Sequence, residues 1–204
     1  MAWTKVKTAT VAGVCVWLAA GTATIIIYDM EKPMRTIQSE WSAISGDNGQ
    51  WVFADGQIEA HTINGDSILA SSEKYCDVTF SATAKTPNRE ASLAFRMQDA
   101  SNGYILNFTP VGSPGEPNGF VRLRKRIGND ETTLATYQGQ RLAATGKSAK
   151  IKIVARGSLI EVFLNGANVL RAHDATFANG YIGFRVYGWG DSPCDATFSH
   201  VKFY

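Results

Sequence analysis

The stretch Asn179-Gly180-Tyr181-Ile182-Gly183-Phe184-Arg185-Val186-Tyr187-Gly188-Trp189-Gly190 runs on a period of two. Ile182, Phe184 and Val186 fall on one side of an extended chain. Tyr181, Gly183, Arg185 and Tyr187 fall on the other, and Trp189 continues that second row. Successive side chains of a strand point to opposite faces, so this stretch is predicted to be a strand with one apolar face for a core and one polar, aromatic face left outside. The Asn-Gly pair that opens it tolerates the positive φ that tight hairpin turns require.

The same pair recurs along the chain, at Asn48-Gly49, Asn64-Gly65, Asn102-Gly103, Asn118-Gly119 and Asn165-Gly166, with Asp55-Gly56 besides. Between these turns lie short runs that alternate or are rich in β-branched and aromatic residues: Trp51 to Phe53, Val78 to Ala84, Ser92 to Met97, Tyr104 to Phe108, Phe120 to Ile127, Ile151 to Ala155, Leu159 to Leu164 and Ala196 to Phe203. Many short strands punctuated in this way predict an all-β, two-sheet antiparallel sandwich over residues 46–204. Beyond the N-terminal segment no run has the length and 3.6-residue period of a core helix, which removes the main support for a parallel α/β arrangement. In Ser92 to Met97 the alternation sets Leu93, Phe95 and Met97 on one side and Ala94 and Arg96 on the other, so Arg96 is expected outside the core.

An outward row of arginine and aromatic side chains suits a sugar, because rings stack on pyranose C–H faces and guanidinium forks bind hydroxyls or carboxylates. The same row also serves a plain exposed sheet face, where arginine and tyrosine cover apolar surface with their stems.

Ahead of the sandwich, Thr8 to Tyr28 carries no charge. As a helix of roughly 21 residues it would reach about 31 Å, the thickness of a bilayer's hydrocarbon. Lys5 and Lys7 precede it while Asp29 and Glu31 follow, so the positive-inside bias predicts a cytoplasmic N-terminus and an extracytoplasmic domain, periplasmic or at the cell surface. Residues 1–28 then form a cytoplasmic stub and transmembrane anchor, and 29–45 a tether in which Pro33 discourages further helix. The rival is a secreted protein cut after a signal peptide, since Gly21-Thr22-Ala23 supplies small residues, although Ile25, Ile26 and Ile27 prolong the apolar run past that point.

The composition is ordinary for a globular protein, 45% hydrophobic and 11% aromatic, with a formal charge of +2. One local basic run, Arg122, Arg124, Lys125 and Arg126, alternates with Val121, Leu123 and Ile127. That alternation predicts a solvated strand face, and no nucleic-acid partner is expected.

Seven stretches in order, WVFADGQI (Trp51 to Ile58), SILAS, YCDVTFSATA, ASLAFRMQDASNGYILNF, IKIVARGSLIEVFLNG, NGYIGFRVYGWG and ATFSHVKFY, resemble laminin-G-like and 3-keto-disaccharide hydrolase-type domains of the concanavalin A-like lectin/glucanase superfamily. The resemblance implies a two-sheet jelly roll with a concave face on which members often bind carbohydrate. It carries over Arg96, in LAFRMQD, and Arg185, Tyr187 and Trp189, in GFRVYGWG, as candidate ligand contacts, with Glu59 and Tyr104 as further ones. It also implies that an early strand lies antiparallel beside the last. Strands of this length so placed would hold Cys76 and Cys194, each opening a Cys-Asp-x-Thr-Phe phrase, about 20 Å apart, beyond the roughly 7 Å that a disulfide spans.

Catalytic chemistry is sparsely marked. A retaining glycosidase sets two carboxyl groups about 5 to 5.5 Å apart. The superfamily's glucanases carry Glu-x-Asp-x-Glu on one strand, and this chain has no such run. Its acids, such as Asp47, Asp55, Glu59, Asp66, Asp99 and Asp191, sit mostly in turn sequences, so no catalytic residue is assigned. His61, His173 and His200 have no metal-ligand spacing to Cys, His or carboxylate. No metal site and no cofactor are expected. A structural calcium is physically reasonable around Asp47-Asn48 or Asp191, yet neither reproduces a calcium loop. The expected function is an extracytoplasmic, membrane-anchored carbohydrate-binding or adhesion module without catalysis, its partner a carbohydrate or envelope glycan. The alternatives are a glycoside hydrolase of the 3-keto-disaccharide type and a protein-binding structural ectodomain. A glycosylation sequon, Asn107-Phe108-Thr109, falls inside an expected strand.

Overall fold

The computed structural model describes residues 14–19, 22–27, 41–45, 49–190 and 192–204, and among them every regular element is a strand. The chain divides into two units, 1–33 and 34–204. In the first, β1 (Val14–Ala19) and β2 (Thr22–Ile27) pair antiparallel, with Val14 opposite Ile27 and Ala19 opposite Thr22. No helix long and apolar enough to cross a membrane occurs among the described residues. The helix expected over Thr8 to Tyr28 therefore has no support: its described parts pair as strands, and its remaining positions lie outside the described residues.

The second unit is the sandwich. Its strands are β3 (Trp41–Ser45), β4 (Gly49–Ala54), β5 (Gln57–Thr62), β6 (Gly65–Tyr75), β7 (Val78–Lys85), β8 (Ala91–Asp99), β9 (Asn102–Thr109), β10 (Phe120–Ile127), β11 (Asp130–Tyr137), β12 (Ala149–Arg156), β13 (Leu159–Leu164), β14 (Ala167–His173), β15 (Gly180–Gly188) and β16 (Cys194–Phe203). They form two seven-stranded sheets, ordered β11-β10-β9-β8-β15-β6-β3 and β14-β13-β12-β7-β16-β5-β4. All their ladders are antiparallel. The first sheet opens with Trp41, which is buried in the core, so the sandwich begins inside the stretch read as tether.

The apolar rows close on one another as the alternation requires. Phe184, from the inner row of β15, meets Trp41, Phe80 and Phe198 with ring centroids 5.1, 5.5 and 4.5 Å away, which joins the two sheets through one aromatic cluster. β7 and β16 are antiparallel neighbours, with Phe203 opposite Phe80 and Thr197 opposite Lys85. Cys76 and Cys194 accordingly sit at opposite ends and are both free thiols. Burial raises the Cys194 thiol to about 11, which leaves it neutral and unreactive.

At one point the alternation breaks, and the expectation for Arg96 breaks with it. The ladder of β8 shifts register between Phe95 and Asp99, and Arg96 takes a φ of 49°. This bulge turns Met97 to the outer face, where it packs with Ile68 and Ala94. It turns Arg96 inward, to 1% exposure. Gly103 and Gly180 flank the bulge, and a Cβ at either would run into the backbone of Arg96 or Met97. The buried guanidinium crosses to the other sheet's end of the sandwich. Its Nε donates to the Cys76 carbonyl (3.0 Å), its Nη1 to the carbonyls of Gly157 (2.7 Å) and Phe177 (3.2 Å), and its Nη2 lies 3.5 Å from Asp77.

Tyr104 is likewise a core residue rather than a surface contact. Its ring stacks on Phe95 at 5.1 Å, and its hydroxyl donates to Asp174 Oδ1 at 2.6 Å, while Lys125 Nζ reaches Asp174 Oδ2 at 2.7 Å. Burial, reinforced by the bond to Asp174, pushes the Tyr104 phenol up to about 12. Burial alone would also raise Asp174, but the bonds from Lys125, Tyr104 and Thr176 outweigh it and hold that carboxyl well below its usual range. A depressed carboxylate stabilises the fold above its ordinary value near 3.8 and loses that contribution as pH falls. A raised phenol loses stability as pH climbs from its ordinary 10 toward about 12. Urea denaturation across pH is expected to show both losses, each with a slope of up to about one proton per molecule. Asp174→Asn should flatten the acid limb and Tyr104→Phe the alkaline one; unchanged slopes would remove this network from the balance.

Candidate functional site

The outer face of the first sheet carries a polar row that runs straight across the ladders. Arg185 on β15 is opposite Ser92 on β8, Ser92 is opposite Asn107 on β9, and Asn107 is opposite Arg122 on β10. Partners in register share a face, so four strands bring these side chains together. Arg122, Arg124 and Arg126 alternate outward along β10 for the same reason that Val121 and Leu123 alternate into the core.

Above this row opens a pocket of about 460 Å³. Arg122, Arg124, Arg126 and Glu131 form one wall, Arg185, Tyr187 and Trp189 another, and Arg89, Glu90 and the 109–120 segment close the end. Its charges are interlocked. Asp66 accepts from Arg185 Nε at 2.5 Å and lies 2.6 Å from Arg126 Nη1. Glu90 accepts from Arg185 Nη1 at 2.9 Å and from Asn107 Nδ2 at 3.1 Å. Glu131 accepts from Arg124 Nη1 at 2.5 Å. Burial would lower the Arg185 guanidinium, but Glu90 and Asp66 more than offset it, so the group stays firmly charged. Its guanidinium carbon stands 5.0 Å from the Tyr187 ring centroid. Trp189 is 69% exposed, a large aromatic surface at the rim. Such an arrangement offers fixed donors and acceptors for hydroxyls with an aromatic plane beside them.

Of the candidates read from the sequence, Arg185, Tyr187 and Trp189 meet in this pocket. Arg96 and Tyr104 do not, because the bulge and the core claim them. Glu59 lies on the outer face of the other sheet, in a groove of about 430 Å³ beside His61, Lys85, Asp195 and Thr197. There His61 Nδ1 is 2.7 Å from Asp195 Oδ1, and Asn88 Nδ2 holds the other carboxylate oxygen at 2.8 Å. Asp66, Glu90, Glu131, Arg122, Arg124 and Arg126 were not assigned to a site by sequence. The signal was present in the 122–126 run, whose alternation sets Arg122, Arg124 and Arg126 opposite Val121 and Leu123, but its companions Glu90 and Asp66 arrive from distant strands. Lys125, which falls between them, faces the other way and pairs with Asp174. Asn107 of the sequon is fully buried, so that face of β9 is closed to modification. No group of three or more potential metal ligands occurs among the described residues. Asp47, Asn48 and Asp191, the positions considered for calcium, lie outside them.

The sandwich is similar to the carbohydrate-binding module CBM66 from Bacillus subtilis, with a TM-score of 0.67 and 24% identity over 80% of this chain and 94% of that one. It is also similar to the exoplasmic/lumenal domain of VIP36, with a TM-score of 0.61 and 9% identity over 82% of this chain and 84% of that one. At these identities the likeness is one of fold. In sequence, the chain is 26% identical over 160 residues to the levanase of Bacillus subtilis (strain 168). The match takes in 76% of this chain but only 22% of the length of that relative. The family model of the 3-keto-alpha-glucoside-1,2-lyase-like domain matches residues 35–203, which spans both sheets from before β3 to the end of β16, and the chain belongs to that family.

Proposed function

We propose that this chain is a carbohydrate-binding domain that takes a glycan in the Arg185 pocket without turning it over. The observation that carries this reading is the interlocked set of Arg185, Asp66, Glu90 and Arg126 beneath an uncovered Trp189. Each charged group there already has a partner that fixes its direction, so hydroxyls meet preorganised donors and acceptors and little side-chain freedom is lost on binding. The similarity to a carbohydrate-binding module and to part of a levanase supports the same reading. It calls for no cofactor. A glycan array probed with the parent chain and with Trp189→Ala tests it. The parent is expected to bind, and the variant to lose about tenfold or more in affinity with an unchanged melting temperature, given the usual worth of an aromatic anchor. A parent that leaves the array blank while crosslinking captures an envelope protein would instead select the protein-binding alternative.

Catalysis is the second reading. It is supported by the family match and by the carboxylates of Glu90, Glu116 and Glu131 in the same pocket. Release of sugar product by the isolated chain, abolished by Glu131→Gln, would replace the binding-only reading. For location, the uncharged run from Thr8 to Tyr28, with lysines before it and acids after, supports display outside the cytoplasm on a membrane tether. Protease added to intact cells should remove the sandwich; full protection would place it inside.

A further inference from the structure

We infer that the pocket selects sugars bearing one negative charge, a carboxylate such as that of a uronic acid, and that Arg89 and Arg122 receive that group. This rests on the pocket being the carbohydrate site. Five guanidiniums line it, those of Arg89, Arg122, Arg124, Arg126 and Arg185, against the carboxylates of Glu90, Glu116 and Glu131. Asp66, paired with Arg126 and Arg185, brings the acids to four and still leaves one positive charge uncompensated.

That surplus has a definite place. Asp66, Glu90 and Glu131 pair with Arg124, Arg126 and Arg185. Arg89 and Arg122, toward the end formed by Ser113 and Phe120, make no ion pair among the described residues. The Arg122 guanidinium lies over the Phe120 ring, 4.0 Å from its centroid, which occupies its face and leaves its edge of N–H donors free. Glu116, on the exposed rim, is the one pocket carboxylate also without an ion pair among the described residues, and it offsets only one of the two arginines.

A neutral sugar gains nothing from surplus charge, because its hydroxyls accept from arginine and donate to carboxylate alike. A carboxylate accepts two parallel N–H bonds from a guanidinium, which an unpaired arginine is free to give.

The test is calorimetric titration of the full chain with matched pairs, methyl glucuronoside against methyl glucoside and methyl galacturonoside against methyl galactoside. The acidic member is expected to bind about ten- to a hundredfold tighter, the worth of a charge-assisted bond. That ratio should fall toward one in Arg89→Gln and Arg122→Gln, and shrink with added salt. Because the readout is a ratio within one variant, a partial loss of folded protein does not mimic the effect. Equal or tighter binding of the neutral members would overturn the inference while leaving the pocket as a sugar site. Binding of no sugar, with a blank array, would remove the carbohydrate reading and this inference together.

Discussion

Arg96→Ala is expected to destabilise the sandwich by about 2–4 kcal/mol, the usual result of leaving buried carbonyls without their donor and a cavity where a large side chain stood. The cost has a direct structural source. The substitution strips the donor from the carbonyls of Cys76, Gly157 and Phe177, which lie in three separate segments, and it empties the space of a side chain at 1% exposure. Arg96→Lys should recover part of the loss, since an ammonium can reach one or two of those carbonyls but not all three. Urea denaturation measures both. A loss below about 1 kcal/mol for the alanine variant would return Arg96 to the surface, where strict alternation placed it.

Arg185→Ala should act on stability and on binding at once. Arg185 bridges Asp66 and Glu90 on the outer face, and its removal leaves Glu90 without a cation and Asp66 with Arg126 alone. A stability loss of about 2–5 kcal/mol is expected. Glycan binding by the fraction that remains folded should fall at least about a hundredfold, because the directions of Glu90 and Arg126 are set through this guanidinium. Arg185→Lys keeps the charge but not the two-sided fork. It is expected to retain most of the stability and little of the affinity. Wild-type affinity in the lysine variant would show that charge alone, not the fork, matters at this position.

These two arginines also mark how far the sequence could be read. The period of two in Gly180–Gly188 is local information, and it placed Phe184 in the core and Arg185 outside without any knowledge of neighbours. The same rule gave the wrong face for Arg96, because a bulge adds a residue to one strand and inverts everything after it. Its cause lies in the ladder with β9 and in the close backbone approach at Gly103 and Gly180, none of which a window of β8 contains. Tyr104 failed for a related reason. Its partner Asp174 is 70 positions away, and no window of β9 shows that its hydroxyl has a buried acceptor. In the pocket, Arg185, Tyr187 and Trp189 were legible because one short run of sequence carries them. Asp66, Glu90 and Glu131 each come from another segment, and only the sheet order β11-β10-β9-β8-β15-β6 brings them together.

The most direct test of the pocket is a 1H–15N spectrum of the chain during titration with a sugar that the array selects. The Trp189 indole N–H and the Nε–H signals of Arg122, Arg124 and Arg126 are expected to shift saturably. The indoles of Trp41, closed in the core, and Trp51, bonded to Ser67, are expected to stay in place. Shifts gathered instead at Gln50, Glu59 and His61 would put the ligand on the opposite sheet and contradict the account.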